Sequence, residues 1–314
     1  MSAPARVQTR TAPRVSDVPW FARAFRRSRS NLVALAIALP AILVFLYFSW
    51  GPILSSLVMS VQRVVPGGAV DWVGWENFSY VLTDPGLPQA TLNTVYYTVL
   101  AVVFGFPVPL ALAVFISELR KRSWYFSALA YLPVVVPPVV AILLWKFFYD
   151  PTADGVFNTI LSWVGIGPLP WLNSTAMAMP AIVLETTWAS AGSAVIIYIA
   201  ALTSVPGELY EAAELDGSGV WRRIWHVTLP QMRGVIGTML LLQVIGTMQI
   251  FTEPYLFTGG GPQGATKTLL MTIYDYAFYR VDYGAATALS VILAVVLSVF
   301  SGAYLMLTRR WSST

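Results

Sequence analysis

Cysteine is absent from the 314-residue chain, and histidine occurs once, as His226. Without a thiol there is no disulfide, no thiolate nucleophile and no cysteine-held zinc or iron–sulfur site, and one histidine supplies no histidine cluster for a metal. Charge is scarce as well: 11% of the residues are Asp, Glu, Lys or Arg, against about 25% in ordinary soluble domains. Lys121, Lys146 and Lys267 are the three lysines among nineteen basic residues. No span carries paired carboxylates beside a histidine or a thiol, so no catalytic residue is assigned and an enzyme is not expected. Apolar residues fill the gap, at 57% of the chain and a mean hydropathy of +0.66. The bilayer is therefore the expected solvent. A net charge of +4 does not point to nucleic acid, because the basic residues fall between apolar spans, as a membrane topology places them.

Six apolar runs are long enough for the about 20 helical residues that cross a ~30 Å hydrocarbon core. They are Leu32–Met59, Asn93–Ile116, Tyr125–Phe148, Ala176–Leu202, Gly234–Phe257 and Ala285–Leu307. Pro40, Pro52, Pro107, Pro109, Pro133, Pro137 and Pro138 interrupt them and are expected to kink helices whose neighbours satisfy the freed carbonyls. With the N-terminus inside, fifteen of the nineteen basic residues lie on the cytoplasmic side, leaving Arg63, Lys146, Lys267 and Arg280 outside. The first apolar run begins near Leu32, after seven arginines, and is read as a retained span. The expected fold class is an all-α polytopic membrane helix bundle with six transmembrane helices and both termini cytoplasmic. Its expected parts are an arginine-rich cytoplasmic tail over 1–31, a transmembrane domain over 32–308 with a cytoplasmic loop at 204–233, and a short cytoplasmic tail over 309–314. Most tryptophans of the outer loops are expected to form an interfacial belt.

The loop holds "ELYEAAELDGSGVWRRIWHVTLPQM", Glu208 to Met232. Ser204 and Pro206 offer start signals. Glu208, Glu211 and Glu214 share a face at spacing three, and Ala212 and Ala213 keep another side small. Asp216–Gly217 reads as a helix stop. Ser218 can cap a second helix that carries Arg222 and Arg223 and ends before Pro230. An acidic helix is a poor match for an anionic inner leaflet, so a docking helix for a soluble cytoplasmic protein is the better reading. The segment resembles the EAA motif of binding-protein-dependent ABC importer permeases. Glu211-Ala212-Ala213, Gly217, Leu229 and Pro230 match at the family spacing, with Val227 where the pattern has isoleucine. "FTGGGPQGATKTLLMTIYDYAF" and "WVGWENFSYVLTDP" are similar to segments of the sugar-type permeases of the maltose, glycerol-phosphate and trehalose importers.

The resemblance implies a multi-pass subunit of the bacterial plasma (inner) membrane that pairs with a second permease as a heterodimer. It implies two cytoplasmic ABC ATPase subunits, which use ATP and Mg, an external solute-binding protein or lipoprotein, and a sugar substrate. No cofactor is expected on this chain: Gly259 and Gly264 have phosphate-loop spacing, but Ala265 stands where lysine is required. ATPase coupling is assigned to Glu208, Glu211, Ala212, Ala213, Asp216, Gly217, Leu229 and Pro230. His226 is expected at a structural interface. For the substrate pathway, Gln243 and Thr247 fall on one face of the fifth span with Gln249 and Glu253 on an adjacent strip, and Thr186, Ser190 and Ser193 share a face of the fourth beside Trp188. Hydroxyls and amides suit sugar hydroxyls, and an indole suits a sugar's apolar face. By the resemblance, Thr186, Ser190, Ser193, Gln243 and Thr247 match sugar-contact positions. Helix–helix hydrogen bonding is the competing reading for each, and for the intramembrane acids Glu185 and Glu253 it is a bundle-facing carboxylate. A di- or oligosaccharide is favoured over a polyol phosphate. The alternative to an importer subunit is a stand-alone secondary carrier or channel for a small polar solute, which calls for internal repeats or an ion relay.

Overall fold

The computed structural model describes residues 34–64, 70–119 and 123–308. The arginine-rich stretch at 1–31, Arg120–Arg122 and the tail at 309–314 lie outside the described residues. The chain divides at Ser56 into two compact units. The first is occupied by most of α1, Ala34–Met59, whose 26 residues rise ~39 Å at 1.5 Å each, more than a bilayer core requires.

The second unit is a helix bundle. After α1 a short antiparallel hairpin pairs β1, Gln62–Val64, with β2, Val70–Trp72. Then come α2 (Glu76–Leu82), α3 (Leu87–Glu118), α4 (Ser123–Val135), α5 (Pro138–Phe148), α6 (Val156–Ser162), α7 (Ala178–Thr203) and α8 (Gly207–Leu215). The chain closes with α9 (Val220–Thr247), α10 (Thr252–Thr258), α11 (Leu269–Tyr274) and α12 (Tyr283–Thr308). Among the described residues, helices α1, α3, α7 and α12 are each long and apolar enough to cross a membrane, and counting each of the bent pairs α4–α5 and α9–α10 as one span gives six.

Two expected spans are not straight. The third turns by 95° between α4 and α5. Pro137 is extended, at φ −56° and ψ 134°, and Pro138 opens α5; a residue before proline is steered out of the helical region. The fifth starts earlier than expected, at Val220, and bends by 45° before α10. Pro254 lacks the amide that would bond the Ile250 carbonyl and its ring would crowd that oxygen. The Ile250 carbonyl accepts from Thr268 Oγ1 instead, at 2.9 Å.

Three of the prolines that stay inside helices each sit behind one wide turn. The π-turns Leu46–Trp50, Ala101–Gly105 and Ile224–Thr228 each end two residues before a proline: Pro52, Pro107 and Pro230. In each, the amide just before the proline (Gly51, Phe106, Leu229) bonds the carbonyl five residues back. One extra residue in the turn absorbs the displacement that the proline ring forces. The second loop helix accordingly does not end before Pro230; it continues through it into the span.

Packing is finest where side chains are smallest. At Gly192 of α7 an added Cβ would lie 2.4 Å from the Ala130 carbonyl oxygen of α4. One core cluster holds Tyr97, Ile142, Trp145, Tyr149, Ile182 and Phe257; another, near α8, holds Ala113, Ile116, Val195, Tyr198 and Met232. Trp171 turns inward. It packs on Tyr149 and Phe157 and donates Nε1–H to Asn158 at 2.9 Å, whereas Trp72, Trp75 and Trp163 are exposed.

Candidate functional site

Helix α8 is short, acidic and sharply ended. Gly217 takes the left-handed conformation, φ +72°. Its amide bonds the Glu214 carbonyl at 3.0 Å, and the Ser218 amide reaches back to the Ala213 carbonyl at 2.9 Å. Those two bonds make a Schellman stop, which is the role a glycine after Asp216 serves. The start matches expectation at Pro206 and departs from it at Ser204. Pro206 precedes the first turn with no side-chain cap, and the Ser204 hydroxyl bonds backwards to the Ala201 carbonyl at 2.7 Å. Gly219, not Ser218, precedes α9.

One face of α8 is held. Tyr210 Oη meets Thr228 Oγ1 at 3.1 Å, and Glu214 pairs with Arg223 of α9. The remainder is open: Glu208, Glu211, Ala212, Asp216 and Gly217 are exposed together and Ala213 is half-buried. Leu229 and Pro230 sit further along, in the body of α9, the first half-buried and the second exposed. Sequence reasoning passed over an apolar group beside the acids. Leu215 is 90% exposed and Trp221 and Trp225, one turn apart, are exposed as well; the i, i+4 spacing of the indoles was the available signal. His226 is exposed and meets the Arg222 carbonyl at 3.0 Å.

The second group lies between α3, α7 and α9. A cavity of about 290 Å³ is lined by Tyr97, Ser190, Gln243, Gly246, Thr247 and Ile250, among others. Thr186 is one turn from Ser190, and its hydroxyl accepts from Tyr97 Oη at 3.0 Å. Ser190 and Thr247 donate to the carbonyls four residues back, at 2.6 and 2.8 Å, which leaves their oxygens as acceptors. The Gln243 amide makes no hydrogen bond among the described residues, so it offers both donor and acceptor. Ser190, Gln243 and Thr247 therefore converge, joined by Tyr97, which the sequence reading did not single out. Trp188 packs against Trp145 at 5.6 Å and is not part of that lining. Ser193 is exposed elsewhere on α7, Gln249 is exposed in the turn that follows α9, and Glu253 lies beyond the break, on α10. Glu185 is buried in α7 with Oε2 unpartnered among the described residues.

The opposite end of the bundle from α8 carries a polar clasp. Tyr276 Oη donates to Asp84 Oδ2 at 2.5 Å, and Arg280 lies over the Tyr276 ring at 4.7 Å while approaching Asp84 at 3.4 Å. The Tyr276 hydroxyl, with a smaller share from the Gly86 amide and Arg280, holds the Asp84 carboxyl below its ordinary range. Burial first, and then the bond to Asp84, push the Tyr276 hydroxyl up. The glycine run nearby is a compact turn, not a phosphate cradle: Asn93 donates to the Gly264 and Lys267 carbonyls at 2.7 and 2.8 Å, and Lys267 pairs with Asp275. Among the described residues no group of three or more His, Asp or Glu is placed to hold a metal ion.

Residues 105–313 match the family described as binding-protein-dependent transport system inner membrane component. The chain is 32% identical over 264 residues to the arabinooligosaccharides transport system permease protein AraP of Bacillus subtilis, covering 83% of this chain and 84% of that protein. It is 30% identical over 282 residues to the trehalose/maltose transport system permease protein MalF of Thermococcus litoralis, covering 90% and 95%. A chain in the crystal structure of a bacterial alginate ABC transporter, in complex with alginate pentasaccharide-bound periplasmic protein, matches with a TM-score of 0.82 at 26% identity, over 93% of this chain and 99% of that one.

Proposed function

Because the chain belongs to the family of binding-protein-dependent transport system inner membrane components, we propose that its bundle forms one half of a translocation pathway for an oligosaccharide. It is a multi-pass inner-membrane permease of an ATP-binding-cassette importer, a transport protein and not an enzyme. The other half comes from a second permease subunit. Two cytoplasmic ATPases, which bind ATP and Mg, dock on α8, and an external solute-binding protein delivers the sugar to the opposite face. With α8 in the cytoplasm, both termini lie on that side, and the permease domain extends over 32–308 with its coupling loop at 204–233.

The observation that carries the substrate class is the cavity of about 290 Å³ where Tyr97, Ser190, Gln243 and Thr247 meet with no charged group in the lining. Its size is near the lower limit for ligand pockets, as suits a site completed by a second chain. Hydroxyl and amide groups match a neutral saccharide; a phosphate ester calls for a guanidinium or ammonium. The names of the arabinooligosaccharide and trehalose/maltose relatives support the same class. Uptake into vesicles holding the complete importer tests it. ATP-dependent accumulation of a neutral di- or oligosaccharide is expected, and accumulation of glycerol phosphate with none of any neutral saccharide overturns it.

A further inference from the structure

Arg223 opens α9 and reaches two other elements. Its guanidinium pairs with Glu214 of α8 and stands 3.8 Å from Glu118, the last residue of α3. The Arg223 side chain is 13% exposed, while those of Glu118 and Glu214 are 41% and 51% exposed. Its Nε is buried without a partner among the described residues. A cation covered this far depends on its carboxylates, since removing them strands a desolvated charge. Glu118 depends on the cation in turn, because an acid at a helix C-terminus opposes the helix dipole. A planar guanidinium can hold two carboxylates in fixed directions, which an ammonium cannot.

A cavity of about 470 Å³ lies between these same elements, lined by Glu118, Tyr210, Glu211, Glu214, Arg223 and Thr228 among others. Glu211 is thus a second α8 acid facing the space, three residues or ~4.5 Å before Glu214 along the α8 axis. If α8 slides along its axis, the guanidinium can exchange Glu214 for Glu211 while keeping Glu118. Two discrete arrangements of one ion-pair set are what a rigid-body switch uses.

We propose that Arg223 is the positioning residue that ties α8 to the ends of α3 and α9, so that displacement of α8 reaches two spans together. This rests on α8 being the ATPase-docking helix. The test uses the complete importer in vesicles, with assembly, ATP hydrolysis and uptake measured on each preparation. Arg223→Gln is expected to lower sugar transported per ATP roughly two- to thirtyfold, the range of mutational effects on coupling between sites, while assembled complexes continue to hydrolyse ATP. Arg223→Lys is expected to recover part of the loss. Glu118→Gln, which cuts the α3 arm and leaves the Glu214 pair, is expected to lower the same ratio in normally assembled complexes. Because the chain has no native cysteine, Ser117→Cys and Leu215→Cys can carry spin labels. Their separation should take two discrete values with ATP when Arg223 is present and spread into a broad distribution in Arg223→Gln, where α8 is no longer tied to α3. Unchanged transport per ATP in both Arg223→Gln and Glu118→Gln, or reduced yield with normal transport per assembled complex, overturns the proposal. A failure of the docking reading is distinguishable: Glu211→Lys would then leave ATPase association unaltered whatever the Arg223 variants do.

Discussion

Gln243 and Thr247 stand one helical turn apart on α9, and the cavity they line is walled on its other sides by Tyr97 and Ser190. Each hydrogen bond lost from a sugar to these groups weakens binding by about 0.5–1.5 kcal/mol. Gln243→Ala and Thr247→Ala should therefore reduce uptake per assembled complex severalfold while ATP hydrolysis persists, read by uptake and assembly on the same vesicles; unchanged uptake would leave them as packing residues. Glu211 is a residue of another kind, an exposed acid on α8, the helix proposed to dock the ATPases. Glu211→Lys should weaken ATPase co-purification by at least about tenfold with membrane insertion intact. At the opposite end, Asp84 has its carboxyl lowered chiefly by Tyr276. A carboxyl lowered on folding contributes stability that is present above its unfolded value, about 3.9, and is lost as pH falls through the lowered folded value. Tyr276→Phe removes a bond to a charged acceptor, worth about 1.5–3 kcal/mol. It should lower Tm at neutral pH and shrink the part of the Tm loss that accompanies acidification below about pH 4.

At the scale of elements, α8 depends on one backbone conformation. Valine at position 217 would have to adopt φ near +72°, at about 1–2 kcal/mol, or abandon the Schellman bonds. Gly217→Val should leave the spans inserted and abolish uptake, with lost ATPase association as the readout. That stop was legible because it is local: an Asp-Gly pair after an amphipathic turn states it within two residues. Four spans were legible from apolar length for the same reason. The Arg223 tie was not, since Glu118 is 105 residues away in sequence. Nor was the break before α10. Pro254 marks where a helix can yield, but the Thr268 hydroxyl that captures the Ile250 carbonyl is a tertiary contact, and it decides between a kink and an interruption. The pathway strip was legible only as a helical wheel. Spacing put Ser190 beside Ser193 and Thr247 beside Gln249; the neighbouring helices selected Ser190 and Thr247 for the cavity.

At the scale of the molecule, among the described residues of the second unit, charged side chains gather at the two ends, with an uncharged pocket between them and the acids Glu185 and Glu253 as the exceptions. Leu215, in the α8 loop, is 90% exposed and Trp163, beyond α6 at the other end, is 77% exposed. Single cysteines at these positions should label from opposite sides of intact cells. Leu215→Cys should react with a membrane-impermeant maleimide only after the cytoplasm is opened, and Trp163→Cys should react without that step. The reverse pattern would invert the topology and, with it, the assignment of α8 to the ATPases.

The wide turn at Ile224–Thr228 has a consequence for helical phase. It inserts one residue between the loop end of α9 and the span, and one residue of an α-helix is ~100° of rotation and ~1.5 Å of rise. The turn thus sets the angular offset between Arg223, facing Glu118 and Glu214, and Gln243, facing the cavity. Pro230 acts as the stop that keeps the extra residue from slipping into the span. Pro230→Ala restores the missing amide, and the turn can then relax to regular α-helix. The Arg223 end should rotate relative to Gln243, and spin labels at Ser117→Cys and Trp221→Cys should report a changed separation while α9 keeps its helical content. The phase of a single helix would then be the quantity that matches the stroke of α8 to the wall of the sugar cavity.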